Sequence, residues 1–193
     1  EFTMIASAWA VTYREATPVF VDCGYDLNID VSKIEAAITP RTKAIMPVHI
    51  YGRPCNMTAI MDLAKKHNLY VVEDACEAHG ATFNGQKVGT IGDIGCFSLF
   101  GNKIISSGEG GICVTNDEKL AERLRYLRTM AFEPQHTFIH QELGYNFRMT
   151  NMQAAVGLAQ VERMAEFNEK RQQIARWYDV YLKQLVITRP KGS

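Results

Sequence analysis

Short apolar runs alternate with amphipathic stretches along most of the chain. Five runs have the length and apolar character of strands, and they cover residues 17–21, 44–50, 69–72, 94–100 and 112–115. Elsewhere apolar residues recur at helical spacing, which predicts helices over 31–38, from residue 57 to Asn68, after Asn116 and from Thr150 onward. This alternation predicts an α/β fold in which helices cover a parallel or mixed sheet.

Three of the predicted helices begin at capping residues. Asp30 precedes the first of them, and Asn56 precedes the second, which Asn68 ends. Thr150 and Gln153 have the spacing of a capping box. That box predicts a single long helix towards the end of the chain.

The charge balance and the apolar runs exclude two classes of function. Lys+Arg and Asp+Glu both number 21, so the formal net charge is 0, and no dense basic cluster predicts nucleic-acid binding. The longest apolar run covers residues 4–13, which is shorter than the roughly 18 residues of a membrane-spanning helix. No basic segment precedes it, so we expect neither a membrane span nor a signal peptide.

Cysteine and histidine spacing gives no indication of a metal site. The five cysteines are widely spaced and include no C-x-x-C pair, which argues against a zinc ribbon and a thioredoxin-type site. Three of them lie inside apolar stretches, which indicates reduced, buried thiols and a cytoplasmic protein. The histidines, including His136 and His140, lack carboxylate or cysteine partners at ligand spacing, so no bound metal is expected.

Glycine is concentrated in one part of the chain. Nine of the 14 glycines fall between Gly80 and Gly111, which indicates either a set of tight turns or a binding site where backbone approaches a ligand closely. The segment contains neither a P-loop nor a dinucleotide fingerprint.

Lys103 is the only charged residue between Ile94 and Gly108, and its neighbours include Phe100 and Ile104. A lysine in apolar surroundings loses hydration, which disfavours the ammonium form and makes the amine a nucleophile able to form a Schiff base. The alternative is a lysine on a surface turn between two strands, since lysine is rarely buried.

Further candidate residues lie at the ends of predicted elements. Asp74 follows the run 69–72, and ligands in open α/β sheets bind beyond the carboxyl ends of the strands. Its carboxylate could pair with a protonated ring nitrogen, or Asp74 and Glu77 could form a helix-capping pattern. Ser98 and Asn146 could donate to a phosphate, although serine in a strand and asparagine before a helix are more often structural.

Four stretches of the chain together resemble the DegT/DnrJ/EryC1/StrS family of nucleotide-sugar aminotransferases, pyridoxal-phosphate enzymes of the aspartate-aminotransferase fold. They are ATPVFVDC (16–23), AAITPRTKAIMPVHIYGRP (36–54), VVEDACEAHGATFNGQKVGTIGDIGCFSLFGNKIISSGEGGICVTND (71–117) and GYNFRMTNMQAAVGLAQVE (144–162). The FSLFGNK…SGEGG portion is most similar to the perosamine-synthase branch, which aminates a 4-keto-6-deoxy nucleotide sugar. The resemblance implies a mixed, mostly parallel sheet flanked by helices.

The resemblance also implies a role for each of five residues. Lys103 would form the Schiff base with pyridoxal phosphate and later carry a proton between substrate and cofactor. Asp74 would keep the pyridinium nitrogen protonated, and Glu77 would lie near the cofactor's phenolic oxygen. Ser98 would bind the phosphate, and Asn146 would reach the phosphate in the neighbouring subunit, which implies a homodimer with shared active sites.

Position 103 distinguishes two reactions within the family. Dehydratase relatives have histidine there, so the lysine implies transamination, with glutamate as amino donor and a keto sugar nucleotide as acceptor. Such a reaction would serve surface-polysaccharide or amino-sugar biosynthesis. A pyridoxal-phosphate-dependent sugar dehydratase and a non-catalytic relative of the same fold are the alternatives.

The chain departs from its relatives in two ways. Relatives place an aromatic residue over the cofactor ring, whereas the matching position here is Met4, whose thioether can pack on a ring. Relatives also begin well before Glu1 and continue well past Ser193, so we expect a partial large domain over 1–149 and, over 150–193, a long helix leading to a mostly missing small domain. We expect such a fragment, isolated, to bind the cofactor weakly and to have little activity.

Overall fold

A four-stranded sheet lies at the centre of the protein. The computed structural model describes residues 2–133 and 138–185. Its strands are β1 (Ala44–Ile45), β2 (Tyr70–Asp74), β3 (Thr82–Phe83), β4 (Gln86–Lys87), β5 (Ile94–Ser98) and β6 (Gly111–Val114). The central sheet has the order β1-β2-β5-β6; β1, β2 and β5 are parallel, and β6 is antiparallel to β5. The predicted α/β fold with a mixed, mostly parallel sheet is confirmed.

Within residues 2–133 and 138–185, six α-helices and a short 3₁₀ helix at Ile50–Gly52 accompany the strands. The α-helices are α1 (Ala6–Thr12), α2 (Val31–Ala37), α3 (Met57–His67), α4 (Glu118–Leu127), α5 (Asn151–Glu162) and α6 (Met164–Tyr181). Buried side chains of α2 and α3, among them Ile34, Met57 and Ile60, pack with Ile45 and Val71 of the sheet. None of the helices in the described ranges is long and apolar enough to cross a membrane.

The predicted helix caps are confirmed by their hydrogen bonds. The Asp30 carboxylate accepts from the Ser32 amide at 3.1 Å, and the Asn56 side chain accepts from the Ala59 amide at 3.2 Å. Asn68 ends α3 with a φ of 53°, a left-handed conformation that asparagine tolerates better than most residues. Both hydrogen bonds of the capping box at the start of α5 are formed.

Three sequence predictions are wrong. Residues 17–21 do not form a strand; a strand needs a hydrogen-bonded neighbour, and within residues 2–133 and 138–185 none pairs with this segment. β1 ends at Ile45 rather than residue 50, because Pro47 has no amide to continue the ladder. The long helix from Thr150 is two helices, α5 and α6, which meet at Arg163.

Candidate active site

The carboxyl end of β2 carries two neighbouring carboxylates, Glu73 and Asp74. Their side chains lie on opposite faces of the sheet, because side chains alternate along a strand. Asp74 accepts a hydrogen bond from the Ser7 hydroxyl at 2.7 Å and another from the Cys76 amide at 3.1 Å. Ser7 lies in α1, so this helix is held against the end of the strand. The Asp74 carboxylate has no ion-pair partner within the described ranges, which leaves its negative charge available to a ligand.

Lys103 lies beside a carboxylate. Its Nζ is 3.3 Å from Oε1 of Glu77, and its side chain is 17% exposed. The other Glu77 oxygen accepts from the Tyr51 amide at 3.0 Å. The predicted apolar surroundings of Lys103 are therefore incomplete: the amine is largely shielded from solvent, but it has an anionic partner.

The position of Lys103 in the chain agrees with a turn between two strands. Its amide donates to the Phe100 carbonyl at 3.0 Å, within the connection from β5 to β6. Leu99 and Ile105 in the same connection are buried. The two interpretations of Lys103 are thus compatible, because the turn is packed against the sheet rather than extended into solvent.

Ser98 and Asn146 are placed differently. Ser98 ends β5, the strand next to β2, and its hydroxyl accepts from the Phe100 amide at 3.2 Å. Asn146 pairs through its backbone with Thr129 and is exposed. In the parts of the chain that the structure describes, no hydrogen bond joins Asn146 to the other four candidate residues. Asp74, Glu77, Lys103 and Ser98 lie on neighbouring strand ends and loops, whereas Asn146 lies on a separate segment.

A fully buried polar network lies under the candidate site. Glu73 accepts from the amides of Gly89, Ile91 and Gly92 at 2.6–2.7 Å and lies 3.0 Å from Nε2 of His49. The Cys55 amide donates to Nδ1 of His49 at 3.0 Å, so this nitrogen is the acceptor and Nε2 carries the hydrogen that His49 donates to Glu73. The network therefore pairs a neutral imidazole with an ionised carboxylate.

The pKa of Glu73 follows from these contacts. Burial alone would raise the pKa, but the hydrogen bonds from His49 and from three backbone amides outweigh burial and lower it. One buried carboxylate thereby fixes the turn at residues 89–92 in the glycine-rich segment. It also fixes His49, two residues before the Tyr51 amide that binds Glu77.

Three contributors to the site were missed by the sequence analysis. They are Ser7, which binds Asp74, Tyr51, which binds Glu77, and Phe2, whose ring lies edge-on to that of Tyr51 with centroids 5.9 Å apart. Tyr51 has a φ of 51°, and no local pattern predicts this conformation for a tyrosine. Met4, the position that matches the aromatic residue of relatives, is 71% exposed.

Histidines and acidic residues in the described part of the chain do not form a cluster suited to a metal. Within residues 2–133 and 138–185, no group of three or more histidine, cysteine, aspartate or glutamate side chains could hold an ion. His79 is buried, its ring is 5.4 Å from that of Phe97, and burial lowers its pKa. His136 lies outside the described residues.

A mixed, mostly parallel sheet carries the Lys103 amine and the carboxylates of Asp74 and Glu77 near the carboxyl end of β2. This arrangement defines an α/β protein with a candidate covalent-cofactor site. The sequence matches the model of the DegT/DnrJ/EryC1/StrS aminotransferase family over residues 1–192. The chain belongs to this family, whose members are pyridoxal-phosphate-dependent aminotransferases.

Individual relatives are similar over nearly all of the chain. It is 52% identical over 184 residues to a GDP-perosamine synthase of Caulobacter vibrioides, covering 95% of the chain and 50% of the relative. It is 48% identical to a UDP-N-acetyl-3-dehydro-alpha-D-glucosamine 3-aminotransferase of Acidithiobacillus ferrooxidans, and the match covers 99% of the chain and 52% of the relative. The solved structure of a DegT/DnrJ/EryC1/StrS aminotransferase from Brucella abortus matches with a TM-score of 0.92 at 32% identity, and the match covers 100% of this chain and 53% of that protein. The chain spans about half the length of these relatives.

Proposed function

We propose that the full-length protein transfers an amino group from glutamate to the keto carbon of a 4-keto-6-deoxy sugar nucleotide, using pyridoxal phosphate. The observation that carries the proposal is the placement of Lys103, Glu77 and Asp74 at the carboxyl edge of β2. The similarity to a GDP-perosamine synthase supports the substrate class, and the lysine at position 103 favours transamination over dehydration.

The residues present fit this cofactor by the chemistry of their donor groups. Pyridoxal phosphate needs an amine to attach to, an anion at its ring nitrogen and donors for its phosphate. Lys103 offers a shielded amine, Asp74 an anion without an ion-pair partner in the described ranges, and Ser98 a hydroxyl on the adjacent strand. When bound, the cofactor supplies an electron sink for the substrate carbon.

Each residue then has a definite task. Asp74, oriented by the Ser7 hydroxyl and the Cys76 amide, keeps a proton on the ring nitrogen. Lys103 would hold the cofactor through its Nζ and would move a proton at that nitrogen. Glu77 lies 3.3 Å from that nitrogen, close enough to hold the amine in place.

The proposal also covers the domain organisation and the location of the protein. Residues 1–149 would form part of the cofactor-binding domain, and residues 150–193 would lead to a second domain. We also propose that the protein acts in the reducing cytoplasm, and the five free cysteines of the chain support this location.

Reaction with glutamate alone tests the reaction type. Full-length protein loaded with pyridoxal phosphate is expected to release one equivalent of 2-oxoglutarate per bound cofactor, because the first half of transamination needs no sugar. 2-Oxoglutarate is measured enzymatically after rapid quenching. If no amino donor tried yields its keto acid, a dehydratase or a non-catalytic relative is favoured instead.

Asn146 is proposed to bind the cofactor phosphate of a neighbouring subunit in a homodimer. Lys103→Ala and Asn146→Ala subunits, each inactive or weakened alone, are expected to regain one intact site when mixed, because both defects then fall in the other site. Activity of the mixed dimers measures the recovery. Mixed dimers that remain as impaired as the parents would show that Asn146 does not act across the interface.

A further inference from the structure

Cys96 and Cys113 lie directly opposite each other on the antiparallel strands β5 and β6. In the same register the Leu99 amide donates to the Gly110 carbonyl at 2.9 Å, which marks residues 99 and 110 as a hydrogen-bonded pair. Hydrogen-bonded and non-hydrogen-bonded pairs alternate along an antiparallel ladder. Cys96 and Cys113, three positions from residues 99 and 110, therefore form a non-hydrogen-bonded pair, whose Cα atoms lie about 4.5 Å apart. Disulfides span Cα distances of about 4.4–6.8 Å, so both cysteines already meet this requirement.

The two thiols differ in reactivity. Cys113 is exposed, whereas Cys96 is partly buried. The neighbouring Cys96 thiol lowers the pKa of Cys113, and the Cys113 sulfur together with burial raises the pKa of Cys96. The exposed Cys113 sulfur is therefore the one that an oxidant in solution reaches and that more readily forms the nucleophilic thiolate, and the Cys96 thiol beside it can act as a resolving group.

A third thiol, that of Cys76, is close to the pair but differs from Cys113 in its protonation state. The Cys76 thiol donates to the Cys96 carbonyl at 3.7 Å, and burial raises the pKa of Cys76 to about 12. Cys76 stays protonated at physiological pH, so it does not compete with Cys113 as the nucleophile.

We propose that Cys113 and Cys96 are a peroxide-sensitive modification site that forms a reversible cross-strand disulfide. The Cys113 thiolate attacks one peroxide oxygen, the O–O bond breaks, and the departing hydroxide takes up the proton that Cys113 had released. Cys113 is then a sulfenic acid. The Cys96 sulfur attacks the Cys113 sulfur, the S–S bond forms, and the S–O bond breaks, with water leaving on the Cys96 proton. Two thiols are oxidised and one peroxide is reduced to two waters.

The disulfide would lie at the edge of the candidate active site. Cys96 is the partner of Asp74 in the β2–β5 register, and the connection that it would close at its base carries Lys103. The proposal stands on the strand register and the thiol chemistry alone, and it does not depend on the proposed transamination.

Limited oxidation of the reduced full-length protein with hydrogen peroxide tests the proposal. We expect two thiols to be lost to a thiol reagent, a 96–113 cross-link in the unreduced peptide map, and full recovery with dithiothreitol. Cys76→Ser, the matched control, should form the same link. Cys113→Ser should form none, and Cys96→Ser should accumulate a sulfenic acid at Cys113 that dimedone traps.

Three results would overturn the proposal. They are an unchanged thiol content in treated wild-type protein, a link between another pair such as Cys76 and Cys96, and over-oxidation of Cys113 to sulfinic acid without a link. Because dimedone reports on Cys113 in the Cys96→Ser variant, the proposal remains testable even if Cys113→Ser folds poorly.

Discussion

Glu73→Gln is expected to lower the free energy of unfolding by about 3–5 kcal/mol, the usual cost of removing one member of a buried, hydrogen-bonded charged group. The carboxylate accepts from three backbone amides and from His49 and is fully buried. A glutamine at the same place would turn an NH₂ group towards amides that can only donate. Urea unfolding followed by circular dichroism measures the effect.

Glu35→Gln is the matched control for this substitution. Glu35 also accepts from a histidine, His67, and from Lys66, but it lies on the surface, where such pairs are screened by solvent. Little change in the unfolding midpoint is therefore expected. If Glu73→Gln unfolded at the wild-type urea concentration as well, the buried network would not contribute to stability as described.

The pH dependence of stability gives an independent check on Glu73. Its pKa in the folded protein lies below the ordinary value of 4.5, so its contribution is fully present above about pH 4.5 and is lost as the pH falls through the folded pKa. The wild-type unfolding free energy should therefore fall more steeply with acid below pH 4.5 than that of Glu73→Gln. Parallel curves would contradict the lowered pKa.

Lys103→Ala is expected to remove the covalent attachment of pyridoxal phosphate and to reduce transamination by more than the roughly 10²–10⁴-fold that loss of proton transfer alone explains. Lys103→Arg is the matched variant. A guanidinium can keep the contact with Glu77, but it stays protonated and cannot attach the cofactor. Both variants should therefore be inactive, and only the alanine variant should lose the ion pair.

Steady-state rates with sugar nucleotide and glutamate measure this effect, and thermal unfolding of both variants shows whether the fold is retained. Appreciable turnover by a folded Lys103→Arg enzyme would show that another amine performs the chemistry. If Lys103→Ala is unfolded, its loss of activity says nothing about the chemistry. Lys103→Arg then provides the test, because it preserves the charge beside Glu77 and its loss of activity can be measured in a folded protein.

Locally encoded features of the fold could be predicted from the sequence. The caps at Asp30, Asn56 and Thr150 each depend on a side chain that binds an amide two or three residues away, so the signal is contained in a few neighbouring residues. The turn at Asn84 and Gly85, both with positive φ, joins β3 to β4 and is also locally encoded, although neither strand is among the five predicted from the sequence.

Features that depend on distant partners could not be predicted in this way. Residues 17–21 have the composition of a strand, but pairing is decided by neighbours far along the chain. The Ser7–Asp74 and Tyr51–Glu77 contacts join residues 67 and 26 positions apart, and no periodicity reveals them. The sequence marked Lys103 and Asp74 as candidates, and the structure adds the groups that hold the carboxylates of Asp74 and Glu77 in place.

Borohydride trapping tests most directly the central claim that Lys103 binds the cofactor. Full-length protein loaded with pyridoxal phosphate, reduced and digested, is expected to carry the pyridoxyl group on the Lys103 peptide and on no other lysine. The label should be absent from Lys103→Ala treated in parallel. A label on a different lysine, or equal labelling of the alanine variant, would contradict the assignment of this site.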